Sequence, residues 1–343
     1  MKRHAWVALT MIAAGALAAC QPPPPPGPPS PYLDVMFTNL RTTPKAAPLS
    51  YGAAPPIDPN VGPGDPFARP LDGAGNEVQR MWVTDPVDNI APLRPAIVWV
   101  HGGGFKAGIG SGYGLLTGTA AGYAGRGYVS FSIEYRIDTT SDCQWVQDHQ
   151  HDNPLPAGFQ AKYDQCRTGI IAAQRDTQAA VRWVRRHAGA YHVDPTHVAV
   201  GGFSAGAVTA ANVAYRSDDA GDWAYNPDDD PHADSRVPAA FGASGCEYLP
   251  ASIGAGDAPV SLIHSEFDAA VDYRDCVVPT ITTARAAGLV AELTSYCKQA
   301  GHARKLYDAH KAATDSQWTT FLVREMHIYS GIRPPSSDPV CPT

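Results

Sequence analysis

The chain has no surplus of positive charge. Its 26 Lys and Arg are outnumbered by 33 Asp and Glu, giving a net charge of −7, and no basic stripe reverses that balance locally. A nucleic-acid partner is therefore disfavoured. Nor is any apolar run long enough for a comfortable bilayer span; the candidate from Ala5 to Ala19 falls short of one. CxxC pairs, Walker glycines and internal repeats are missing, and GYAGRG (122–127) lacks the G-x-G-x-x-G spacing, so no organic cofactor is implied. Seven aspartates crowd residues 217–235, but not at EF-hand spacing, so that loop reads as solvated and no metal is expected. What remains, 44% hydrophobic and 17% charged residues over 343, suits an ordinary globular protein with one large α/β domain or two small ones.

The first twenty residues form a leader. Lys2 and Arg3 precede the apolar run, which has the length of a signal h-region, so residues 1–19 read as a signal peptide. The run ends in Leu17-Ala18-Ala19-Cys20, which resembles the lipobox of bacterial lipoproteins, where the cysteine is lipidated. Ala16-Leu17-Ala18 is also an A-x-A cleavage site, which leaves plain secretion as the alternative. Setting Cys20 aside leaves an even set of six cysteines: Cys143, Cys166, Cys246, Cys276, Cys297 and Cys341. An even set suits an oxidising, exported compartment. The expectation is a protein lipid-anchored at the bacterial cell envelope. Residues 20–31 would supply the attachment site and a polyproline spacer, because proline fixes φ and stiffens the chain.

Residues 32–75 are rich in Pro and Gly and read as an irregular arm; a single catalytic domain is expected over 76–343. Strand patterns recur at 78–86, 96–100, 128–135, 197–204, 239–245, 259–266 and 289–297. Helical patterns lie between or after them at 115–127, 169–190, 205–216, 274–287 and 315–329. Alternation of this kind predicts a doubly wound, mostly parallel sheet with helices on both faces.

One hydroxyl stands among side-chainless neighbours in VAVGGFSAGA (198–207). A serine at a strand-to-helix junction can sit on a sharp turn with its hydroxyl clear of the sheet. Side chains two residues either side would then collide with each other and with the incoming strand, and Gly202 and Gly206 remove them. The result is G-x-S-x-G, a nucleophile elbow centred on Ser204. A glycine-rich turn with an incidental serine would carry the same five residues; the strand on one side and the helix on the other favour the elbow. HGGGF (101–105) follows directly on the strand AIVWV. A tetrahedral acyl-transfer intermediate needs pre-aimed backbone N–H donors, and glycine lets the main chain approach closely.

HGGGF and GFSAG together resemble the α/β-hydrolase fold, and within it the bacterial carboxylesterases related to hormone-sensitive lipase. The similarity runs from about Val78 to Tyr329 and includes EYRI (134–137), like "NYRL", and YHVDPTHVAVGGFSAG (191–206), like "GVDPxRIAVGGDSAGG". The resemblance implies oxyanion donors at the N–H groups of Gly103, Gly104 and Ala205, a structural role for His101, and places Arg175 and Asp176 on a helix surface.

Serine needs a histidine to take its proton, and in this fold the chain order is Ser, acid, His. Of the downstream histidines His232, His264, His302, His310 and His327, His302 stands in QAGHA, in the loop where the resembled family places its G-H dipeptide. His310 is the nearest rival. HSEFDAAV (264–271) resembles "HGxxDxxV", with Ser265 in place of the usual glycine, and puts the acid at Asp268; Asp257, Asp272 and Glu266 are the alternatives. The expected activity is hydrolysis of a small-molecule carboxylic ester through an acyl-enzyme. A serine peptidase or polyester depolymerase on the same fold, or a non-catalytic binding relative, remains open. The connection from Ile137 to Gly169 is long for an α/β loop and is expected to wall the substrate pocket. Cys143–Cys166 would pin its ends because both flank one excursion; Cys276–Cys297 is the next expected bridge, leaving Cys246–Cys341.

Overall fold

A computed structural model describes residues 41–44, 47–58, 70–87, 91–108, 115–216, 234–248, 253–328 and 340–342. The signal segment, Cys20 with its spacer, and nearly all of the aspartate-rich loop lie outside the described residues. In chain order the named elements are β1 (Thr42–Pro44), β2 (Leu49–Ala54), β3 (Glu77–Pro86), β4 (Arg94–Val100), α1 (Ala121–Ala124), β5 (Val129–Ile133), α2 (Cys143–His149), α3 (Phe159–Arg186), β6 (Val193–Phe203), α4 (Ala205–Tyr215), β7 (Ala240–Ala243), β8 (Val260–Ser265), α5 (Val278–Ala286), β9 (Ala291–Tyr296), α6 (Ala303–Ala309) and α7 (Lys311–Glu325).

The sheet runs β1-β3-β5-β4-β6-β7-β8-β9, with β2 also on β3. From β5 to β9 every pairing is parallel, while β3 joins β5 antiparallel. Strand alternation sorts side chains into two layers. In β4, Ala96, Val98 and Val100 enter the core shared with α3, α4 and α5, whereas Ile97 and Trp99 enter the one shared with α1, α6 and α7. Burial on both faces explains why AIVWV is a continuous apolar run rather than an alternating one. In the second layer Trp99 meets Tyr123 and Phe241 edge-on, both at 5.2 Å between ring centroids. The strands expected from sequence are all present, each within a few residues.

Several expectations are corrected. Part of the arm expected to be irregular is strand: Thr42–Pro44 and Leu49–Ala54 both pair antiparallel with β3, capping an edge that would otherwise be open. The long helix begins at Phe159, ten residues before the expected start at Gly169, so the excursion is shorter and contains the roughly two turns of α2, capped by Asp142. Asp176 is not on a helix surface. It is buried and takes both the main-chain N–H of Arg136 (2.7 Å) and its guanidinium (2.8 Å), tying the end of EYRI to α3. Burying that carboxylate is tolerable because its charge and lone pairs are matched there.

Three disulfides form. Cys143–Cys166 pairs as expected, but the other two are Cys246–Cys276 and Cys297–Cys341, not Cys276–Cys297 and Cys246–Cys341. What decides this is the C-terminal tail, since β8 borders both β7 and β9. Cys246 follows β7 and Cys276 follows its neighbour β8, whereas Cys297 follows β9, where the C-terminal tail docks through Arg274 on the Cys341 carbonyl (2.8 Å). Replacing both Cys143 and Cys166 by serine should cost about 3 kcal/mol of stability by the loop-entropy relation, read from urea denaturation as a lower midpoint. An unchanged midpoint would mean that the bridge carries no load. Among the described residues no helix is long and apolar enough to cross a membrane.

Candidate active site

The elbow is built by steric necessity. Ser204 sits between β6 and α4 at φ 55° and ψ −124°, in the left-handed half of the map that non-glycine residues avoid. Its N–H donates to the Ala243 carbonyl at 2.9 Å, and its carbonyl accepts from Ala207 and Val208 at 2.8 and 2.9 Å, so strand β7 and the first turn of α4 hold the conformation from both sides. The turn closes only because two side chains are missing. A Cβ on Gly202 would lie 2.3 Å from the Gly206 carbonyl oxygen, and one on Gly206 would lie 2.1 Å from that of Val100.

His302 precedes α6, in the loop after β9, and its ring spans two partners. Nε2 is 2.9 Å from Ser204 Oγ, and Nδ1 is 2.8 and 2.9 Å from the two oxygens of Asp268. An ionised carboxylate only accepts, so Nδ1 carries the proton and Nε2 presents its lone pair to the serine hydroxyl. Asp268 is fixed in turn by the N–H groups of Ala270 and Val271, which donate to Oδ1 at 2.9 and 3.2 Å. Burial pushes the Asp268 carboxyl up, but the hydrogen bond and charge of His302, with His264 and Ser244, outweigh it and hold the group below its ordinary value. A depressed carboxylate pKa means that this contribution to stability is present at neutral pH and is lost as pH falls through the folded value.

The glycine loop after β4 lies against the elbow. A Cβ on Gly102 would come within 2.9 Å of the Phe203 carbonyl oxygen, and one on Gly103 within 2.0 Å of that of Ala107. Gly103 and Gly104 adopt φ of 118° and 63°. Among the described residues no acceptor takes the N–H of Gly103, Gly104 or Ala205, and all three residues line the same cavity as Ser204. His101 is buried, contacts the Gly102 carbonyl through Nδ1 at 2.6 Å and stacks on Tyr135 at 4.2 Å, as suits a residue that orients the loop. The cavity measures about 540 Å³, and Cys143 and Gln144 of the excursion form part of its wall.

The rivals are engaged elsewhere. His310 stacks on Tyr296 at 3.8 Å, and His327 is exposed beyond α7. His232 lies outside the described residues. Glu266 pairs with Arg274 at 2.6 Å, Asp272 caps the turn after β8, and Asp257 accepts from Gly254. His264 is the exception: it is buried at the end of β8 with Nδ1 on the Ser265 carbonyl and Nε2 4.0 Å from Asp268 Oδ2, and burial lowers its pKa. Sequence reading missed Ser244, whose hydroxyl oxygen accepts from the Ala303 N–H at 2.8 Å and braces the histidine loop. Nothing in its surroundings, A-S-G-C, signals that contact.

Superposition on the thermophilic esterase Est2 of Thermogutta terrifontis gives a TM-score of 0.55 at 20% identity, over 74% of this chain and 89% of that one. Its propionate-bound form gives 0.56 at 20% identity over 78% and 98%, and its paraoxon-phosphorylated form 0.54 at 22% over 74% and 91%. The chain has the α/β-hydrolase fold. The family described as BD-FAE matches residues 163–237, a segment that contains the whole elbow. Gut esterase 1 of Caenorhabditis briggsae is 29% identical over 119 residues, which are 35% of this chain; the match spans only 18% of that relative's length.

Proposed function

We propose that this chain is a serine carboxylesterase. The observation that carries the reading is the unbroken relay Ser204–His302–Asp268 opening onto a cavity lined by the glycine loop. As the Ser204 oxygen bonds to the ester carbonyl carbon, its proton passes to His302 Nε2, and Asp268 stabilises the imidazolium that results. The carbonyl oxygen, now an anion, is received by the N–H groups of Gly103, Gly104 and Ala205, donors of a kind worth about 10²- to 10³-fold each in rate. Collapse of the intermediate breaks the C–O bond, and His302 gives its proton to the departing alcohol. Water, deprotonated by the same nitrogen, then attacks the acyl-serine and releases the acid. Esterase activity in the gut esterase relative, and phosphorylation of the Thermogutta esterase by paraoxon, support this reading.

Mutation of the two rival histidines tests it. His302→Ala should lower kcat for a nitrophenyl ester by at least about 10³-fold, while His310→Ala should change it by less than about threefold. The reverse ranking would remove His302 from the mechanism.

The exported location extends the proposal. Three disulfides suit an oxidising compartment, and the Leu17–Cys20 segment suits lipid attachment, with residues 21–31 as spacer. Cys20→Ser should move the protein from the membrane fraction to the soluble one; a mutant that pellets like the native chain would contradict the anchor.

A further inference from the structure

We propose that the mouth of the Ser204 cavity selects esters bearing a second, ionised acid group; this rests on the serine-esterase reading. The chain as a whole is acidic, with a net charge of −7, yet its cavity mouth is not. Among the described residues three cations, Lys106, Arg304 and Lys305, line the cavity, and no carboxylate does. The rest of the wall is largely apolar, with Phe105, Phe203 and Val271 among it. A cavity meant for an uncharged, purely apolar ester would gain nothing from three ionised groups at its rim.

The way each cation is held sharpens the point. Lys106 follows the glycine loop directly. Its Nζ lies 3.8 Å from Asp142 Oδ1, but the other oxygen of Asp142 faces Lys162 at 3.5 Å, so two ammonium groups share one carboxylate and a positive charge is left over. Arg304 is held in place rather than mobile. It pairs with the Asp308 carboxylate at 2.8 Å, which offsets part of its charge, and bonds Thr119 at 3.2 Å, while its guanidinium lies 5.9 Å from the centroid of Phe203 and 5.5 Å from that of Tyr307. Lys305 is exposed, and among the described residues no carboxylate pairs with it. Arg304 and Lys305 follow within three residues of His302, the group that hands a proton to the leaving alcohol. Pre-placed cations beside a low-dielectric wall act on an anionic substrate both by steering its approach and by fixing its pose. The ligand chemistry is a carboxylate or equivalent oxyanion on an otherwise apolar ester, borne on either the acyl or the alcohol part.

Paired esters test this. On the acyl side, 4-nitrophenyl valerate is compared with the 4-nitrophenyl monoester of glutaric acid. On the alcohol side, 4-acetoxybenzoate is compared with its methyl ester. Each kcat/KM is divided by that ester's own hydroxide-catalysed rate. In at least one pair the charged ester should be favoured by about tenfold at low salt. That preference should shrink in about 0.5 M NaCl as the charges are screened. Lys305→Glu should lower the charged-to-neutral ratio by about tenfold. A ratio of one or less in both pairs, or a ratio indifferent to Lys305→Glu, overturns the inference while leaving ester hydrolysis intact. Failure of the folded protein to hydrolyse any of the four overturns the serine-esterase reading, and this inference with it.

Discussion

Ser204→Ala is expected to abolish ester hydrolysis and leave the fold standing. The substitution removes one oxygen and keeps Cβ, so the contacts that fix the elbow survive: the Ser204 N–H on Ala243, and the first turn of α4 on the Ser204 carbonyl. What disappears is the hydroxyl that His302 Nε2 faces at 2.9 Å. Without a nucleophile, the glycine loop and His302 retain only what oxyanion binding and positioning can do. Activity should therefore fall to less than about a thousandth of the native value. The melting temperature should change little, since the backbone bonds that hold the elbow are kept. Activity above that level in a verified mutant would contradict Ser204 as the nucleophile.

The second large effect concerns stability as well as rate. Gly206→Val should cost about 3 kcal/mol or more and take most of the activity with it. The Cβ at this position would meet the Val100 carbonyl oxygen at 2.1 Å, its carbon at 2.6 Å and the His101 carbonyl oxygen at 2.8 Å. Every one of these is backbone, so no rotamer change relieves the clash. Either α4 lifts from the sheet or the end of β4 retreats, and both move the serine relative to the glycine loop. Gly73→Ala serves as the control: nothing lies within 4 Å of its Cβ, and it should change stability by less than about 0.5 kcal/mol. Urea denaturation of the pair, with kcat/KM beside it, reads both effects. A Gly206→Val protein as stable and active as the control would mean that the elbow does not depend on this close approach.

These two sites also show what a sequence can and cannot disclose. The elbow was legible because its requirement is local: a strained serine forces small residues at fixed offsets, and GGFSAG displays them. The parallel strands were legible because they alternate with helical patterns, and in AIVWV because burial on both faces leaves a continuous apolar run. Asp268 and His302 needed more, namely chain order and a resemblance in HSEFDAAV and QAGHA. Beyond that, the deciding quantity is which distant segments lie side by side. Cys276 is twenty-one residues from Cys297, closer in sequence than to Cys246, yet Cys297 is taken by Cys341 of the docked C-terminal tail and Cys276 pairs with Cys246. Asp176 gives no sign of burial in a helix rich in arginine; only the return of Arg136 against α3 explains it. Ser244 and the cations at the cavity mouth belong to the same class. Their roles follow from juxtaposition of segments far apart in the chain, which no local pattern encodes.

The central claim is that Ser204 is an activated nucleophile, and covalent trapping tests it most directly. The native protein is treated with a fluorophosphonate, its intact mass is measured, and the modified residue is located by peptide sequencing. One adduct per chain is expected, on Ser204, formed in step with loss of esterase activity and missing from Ser204→Ala. An adduct on another residue, or full loss of activity with Ser204 unmodified, would contradict the account.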